Sequence, residues 1–125
     1  MNPTSSPDAT SDVPLPPRSP LLMNRDDTAL VVIDIQEKLL PLIDQHETIL
    51  GNVRKLLAAA ELLNVAVGCT EQYPKGLGPT VSPIADAIKQ LDDSQIAEKI
   101  MFSCRECESL FQSLSNRGIH KLLLC

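Results

Sequence analysis

Ala29-Leu30-Val31-Val32-Ile33-Asp34-Ile35-Gln36 is a continuous apolar run, rich in β-branched residues, that delivers one carboxylate near its end. A run of this length without alternation reads as a strand buried on both faces, the pattern of a parallel sheet. Asp34 then stands at the carboxyl end of a central strand, the edge where open α/β sheets bind ligands. The same position also suits an Asp that caps the following helix, and position alone does not separate the two.

Before the run, residues 1 to 26 hold six of the ten prolines and show neither a helical nor a strand period. They read as a disordered tail ahead of a domain spanning 27 to 125. Pro14-Leu15-Pro16-Pro17-Arg18 has the form of a polyproline ligand, a form that is common in such tails.

After the run, Ile49, Leu50, Val53, Leu56, Leu57, Ala60 and Leu63 recur at helical spacing, and Asn64 ends that helix. Val65 to Thr70 is a second short buried strand, which completes a βαβ unit. Glu71 to Thr80 carries Pro74, Gly76, Gly78 and Pro79 and reads as a loop at the carboxyl edge. Gly76 and Gly78 look like turn glycines, since the loop lacks the strand-to-helix placement of a phosphate cradle. A helix over 81–91, a strand over 95–101 and a helix over 107–116 stopped by Gly118 follow. Lys121 to Cys125 reads as another buried strand. A core strand with no covering helix after it is the expected signature of a truncated domain.

With 125 residues the chain supports one domain. Hydrophobic residues make up 43% with no Trp, one Tyr and two Phe, so the core is aliphatic. A net charge of −5 with scattered Lys and Arg argues against nucleic acid or an anionic membrane as partner. No apolar segment approaches the roughly 20 residues of a membrane span, and no secretory apolar region opens the chain. A cytoplasmic protein with four free thiols, Cys69, Cys104, Cys107 and Cys125, is the expectation.

Asp34 and Lys99 both fall at carboxyl ends of expected strands in one sheet, so the fold can bring them over one crevice. A carboxylate base beside an ammonium suits the activation of a nucleophile; a structural ion pair or two unrelated surface charges are the alternatives. His46 and His120 stand at no metal-ligand spacing. Cys104-Arg105-Glu106-Cys107 is a CxxC without a second ligand pair, open to incidental oxidation if its helix N-terminal placement lowers one thiol's pKa.

Three blocks carry a resemblance: Ala29 to Gln36; Thr70-Glu71-Gln72-Tyr73-Pro74-Lys75-Gly76-Leu77-Gly78-Pro79-Thr80; and Glu98-Lys99-Ile100-Met101-Phe102-Ser103. Together they resemble the isochorismatase-like cysteine hydrolases, in the branch of the isochorismatase domain-containing hydrolases, over roughly residues 27 to 125. The resemblance implies a three-layer, Rossmann-like α/β domain with a mostly parallel sheet, its C-terminal part missing here. It implies Asp34 as general base and Lys99 as activating lysine of a hydrolase acting on an amide-like C–N or related bond of a small molecule. The Cys nucleophile of relatives follows the fourth strand and has no match in this sequence, so the chain as given is expected to be inactive and poorly soluble alone. Cys125 aligns with a strand residue, where a thiol is inert. Gln36, Tyr73 and Phe102 neighbour the matched blocks and are candidate substrate contacts. Glu71-Gln72-Tyr73-Pro74 lacks the Asp and His cluster of metal-dependent nicotinamidases, so no metal or cofactor is expected. Family members commonly assemble, which implies a homo-oligomer at full length. The rival readings are a non-catalytic member working through oligomerisation or partner binding, and a thiol oxidoreductase using Cys104 and Cys107.

Overall fold

The β-branched run forms β1 (Thr28–Ile33), and its residues Thr28 to Val32 are buried because a strand lies on each side. β1 pairs in parallel with β2 (Ala66–Gln72) and with β4 (Lys121–Leu124), while β3 (Gln95–Lys99) adds to the far side of β2. The sheet is all parallel, in the order β3-β2-β1-β4. The chain is thus an α/β domain, described by a computed structural model over residues 14–125.

Parallel neighbours need crossovers, and helices supply them on both faces. Leu30, Val32, Val67 and Cys69 face one way, against Val53, Leu57 and Ala60 of α1 (His46–Leu63). Ile84 and Ile88 of α3 (Ser82–Lys89) pack into the same layer. Ala29, Val31, Ala66 and Ala97 face the other way, against Leu110 and Leu114 of α4 (Glu108–Asn116). Gly68 makes the α4 contact close: a Cβ there would stand 2.9 Å from Leu110 Cδ1.

α1 ends as its sequence dictates. Asn64 takes a left-handed φ of 55°, and the N–H of Val65 reaches back to the Ala60 carbonyl at 2.8 Å. Asn tolerates that region better than most residues, so it replaces glycine as the stop.

Three expectations change. β2 continues through Glu71 and Gln72, and Pro74–Leu77 forms a short helix, α2, so 71–80 is not all loop. Pro74 occupies the first turn, where its missing N–H costs nothing. Lys121–Leu124 is not buried as expected: Leu122, Leu123 and Leu124 are 39%, 43% and 62% exposed, with β1 the one strand beside β4 among the described residues. Leu56 and Leu63 do not close on the core; with Leu123 they line an open apolar cleft between α1 and β4.

The tail expected over 1–26 lies in part outside the described residues. From 14 to 26 the chain forms no helix or strand and is exposed, Pro14 to Arg18 included. Lys121 ties its end to the sheet, donating to Asp27 Oδ2 at 2.7 Å and to the Leu22 carbonyl at 3.2 Å. Among the described residues no helix is long and apolar enough to cross a membrane.

Candidate active site

β1 ends in a sharp turn at Asp34, whose φ of 54° lies in the left-handed region. Such a conformation costs about 1–3 kcal/mol for a residue with a side chain and needs surroundings that enforce it. Here the Asp34 N–H donates to the Thr70 carbonyl at 3.1 Å, and its carbonyl accepts from the Gln36 N–H at 3.0 Å. The turn aims the carboxylate over the end of β2.

Lys99, the last residue of β3, reaches across β2 from the other side. Its Nζ meets Asp34 Oδ2 at 2.7 Å and also donates to the carbonyls of Phe102 at 3.1 Å and Met101 at 3.3 Å. An ammonium has three donors, and all three are engaged. That satisfaction is what permits a lysine side chain to be 0% exposed. Thr70 of β2, lying between the two, donates its hydroxyl to Asp34 Oδ1 at 2.8 Å. The Asp34 side chain keeps 17% exposure, so it is fixed in orientation yet open to a reactant. A carboxylate so placed can accept a proton, while the buried ammonium balances the charge that results.

Gln36, expected to contact substrate, is placed in the interior. It is 0% exposed, and its amide is taken up by backbone: Nε2 donates to the carbonyls of Gln72 at 2.9 Å and Gly78 at 2.7 Å, and Oε1 accepts from the Gln72 N–H at 2.8 Å. It braces the turn after β1 against the segment that follows β2. Glu71 acts similarly, its buried Oε1 accepting the Thr80 N–H at 2.6 Å. Tyr73 is half exposed and, with Pro74, Lys75, Glu98, Lys99 and Ile100, lines a cleft of about 240 Å3 that Lys99 borders and Asp34 does not. The Phe102 ring is 89% exposed; it is the Phe102 carbonyl that reaches Lys99.

Thr70, Glu71 and Glu106 were not singled out by sequence. Thr70 carried a faint signal as the hydroxyl ending an apolar strand; Glu106 carried none. Its carboxylate accepts the N–H groups of Ile100 at 2.7 Å and Met101 at 2.9 Å, and these bonds hold its pKa below the usual 4.5.

Burial pushes the Cys69 thiol up to about 11, and it raises Cys107 and Cys125 as well. For Cys107, the N-cap of α4, burial overrides the lowering that a helix N-terminus was expected to give. His46 begins α1 and His120 precedes β4; among the described residues no group of His, Cys, Asp and Glu side chains gathers for a metal ion.

The sequence model of the isochorismatase domain matches residues 28–125. The isochorismatase domain-containing protein 2 of Danio rerio is 44% identical over 100 residues, which cover 78% of this chain and 47% of that protein. A secreted isochorismatase effector of Phytophthora sojae is 37% identical over 76 residues, 61% of this chain and 36% of that protein. This chain therefore spans about half or less of the length of these relatives. Among solved structures, the fold is similar to that of YcaC from Escherichia coli, described as an octameric hydrolase of unknown specificity. That likeness has a TM-score of 0.71 at 21% identity, covering 87% of this chain and 54% of YcaC.

Proposed function

This chain belongs to the isochorismatase family, and on that premise we propose that the protein is a hydrolase of a small molecule, acting through a thiol nucleophile. The bond is an amide-like C–N bond or a related one. Asp34 takes the thiol's proton and returns it to the leaving group, and Lys99 steadies the anion formed in between. Water then resolves the covalent intermediate. The observation that carries this reading is the 2.7 Å contact between a fully buried ammonium and a carboxylate that remains open on one side, at the carboxyl edge of a parallel sheet.

By resemblance to the family, in which the nucleophile follows the fourth strand, it is assigned to a thiol other than the four in this sequence. Cys69 and Cys107 are buried in the two apolar layers, and Cys125 follows β4 with its pKa raised. On this reading residues 1–125 by themselves do not turn over substrate. Tyr73 touches the substrate from the cleft, and the exposed Phe102 stands two residues beyond Ile100 of its lining. Gln36 acts indirectly, by bracing the segments that carry Asp34 and Tyr73. The reading also takes 27–125 as a domain behind a 26-residue tail, in a cytoplasmic homo-oligomer, the octameric YcaC being the relative that supports assembly. The proposed steps use no metal or cofactor.

The test is mass spectrometry of the intact protein quenched in acid while it turns over a small amide. A covalent adduct on one cysteine, absent after prior alkylation, is expected. Turnover that survives complete alkylation of thiols, with no adduct, would overturn the proposal.

A further inference from the structure

The stretch from Ile100 to Cys107 is built as one unit around Lys99. The Met101 and Phe102 carbonyls hold the ammonium, and Glu106 in turn holds the N–H groups of Ile100 and Met101. The unit ends in a 3-10 turn, Cys104–Glu106, which the Ser103 hydroxyl opens by accepting the Arg105 N–H at 3.2 Å. The Cys107 N–H closes it on the Cys104 carbonyl at 2.9 Å. A turn bonded from the first to the fourth residue brings their Cα atoms within about 7 Å, and a 3-10 helix stacks those side chains on one face. A disulfide spans Cα separations of about 4.4–6.8 Å. Both thiols are free; Cys104 is half-buried and Cys107 is 2% exposed against Ala29, Val31 and Leu110. The hydrolytic reading uses neither.

From this placement we propose that Cys104 and Cys107 are a modification site: a dithiol that a peroxide converts to an intramolecular disulfide, locking the loop that holds Lys99. The Cys104 thiolate attacks the peroxide, an S–O bond forms as the O–O bond breaks, and the departing oxygen leaves as water. Cys107 then attacks that sulfur, an S–S bond forms, the S–O bond breaks, and a second water leaves with the remaining thiol proton. The two sulfurs are oxidised by two electrons in total and hydrogen peroxide is reduced to two waters. Cys104 reacts first because it is the accessible member. Burial of Cys107 keeps it from competing as a target, and its N–H bond to the Cys104 carbonyl keeps the two residues in one turn. The disulfide then fixes the C-terminal end of the loop, so the two carbonyls that position Lys99 lose their freedom to move. This inference stands apart from the hydrolase reading, and its test needs no turnover.

The reduced, intact protein is treated with one equivalent of hydrogen peroxide, then digested with trypsin after alkylation. Arg105 lies between the two cysteines, so the disulfide is read as a link between peptides 100–105 and 106–117. The expected result is that linked pair, released by dithiothreitol, with amide exchange at Ile100 and Met101 slowed several-fold. Cys104→Ser, at a half-buried site that leaves the core intact, shows neither effect. Three results would each overturn the proposal: Cys104 unreacted, Cys104 carried to a sulfinic acid while Cys107 stays alkylatable, or a disulfide that leaves the two amides exchanging as before.

Discussion

Lys99→Met keeps the length of the buried side chain and removes its charge. Three acceptors lose their donor at once: Asp34 Oδ2 and the carbonyls of Met101 and Phe102. Breaking a buried ion pair from one side costs about 3–5 kcal/mol. Asp34 retains 17% exposure and recovers some hydration, which places the loss near the lower end, about 3 kcal/mol. Asp34→Asn tolerates the left-handed backbone and keeps a hydrogen-bonding side chain, but it leaves the ammonium without its counter-charge, a loss of about 2 kcal/mol. Independent effects would sum to about 5 kcal/mol; the double variant, in which no charge is stranded, is expected to lose about 3, a coupling of about 2 kcal/mol. Urea unfolding followed by circular dichroism reads this directly. With a slope of about 1.5 kcal/mol per molar, Lys99→Met moves the midpoint down by about 2 M. A coupling below about 0.5 kcal/mol would refute the reasoning, since the two groups would then not be sharing a desolvated contact.

Other substitutions and conditions probe the surroundings of the pair. Gly68→Ala places a methyl 2.9 Å from Leu110 Cδ1, so the buried Leu110 side chain must shift; a loss of about 1–3 kcal/mol in thermal unfolding is expected. Gln36→Ala strands the Gln72 N–H and the carbonyls of Gln72 and Gly78, and lowers stability by about 2–4 kcal/mol, with hydrogen exchange at the Gln72 amide accelerated most. Glu106 has a folded pKa below its ordinary 4.5, so its hold on Ile100 and Met101 is complete above that value and is lost as pH falls through the lowered one. Exchange of those two amides, corrected for intrinsic rates, is expected to stay constant from neutrality to about pH 4.5 and to rise only below it; Glu106→Gln shows the rise at neutral pH.

The sheet was legible because its central strand has no ambiguity. Ala29 to Ile33 is β-branched and unbroken, and only burial on both faces of a parallel sheet makes use of such a run. The same rule placed the strand at Lys121 to Leu124 but not its burial, because apolar character shows that a strand seeks cover, not that a second neighbour lies beside it among the described residues. Pro74 was read as a breaker, although at a first helical turn it starts an element rather than ending one. The meeting of Asp34 with Lys99 followed from placing both at carboxyl strand ends. The depth of Lys99 did not, since lysine is rarely buried and the loop carbonyls downstream are needed beside Asp34 to make it tolerable. Gln36 illustrates the limit most clearly. Its place beside Asp34 was visible, but its role as a brace depends on Gln72 and Gly78, which stand 36 and 42 positions away and carry no local pattern that points back to it.

The measurement that bears most directly on the Asp34–Lys99 centre is kcat/KM of the intact protein carrying Asp34→Asn. With folding retained, as judged by its urea midpoint, a fall of about a hundredfold or more, expressed in kcat, is expected from the loss of a positioned base. Activity within about threefold of the parent would contradict the account and leave Asp34 and Lys99 as a structural ion pair.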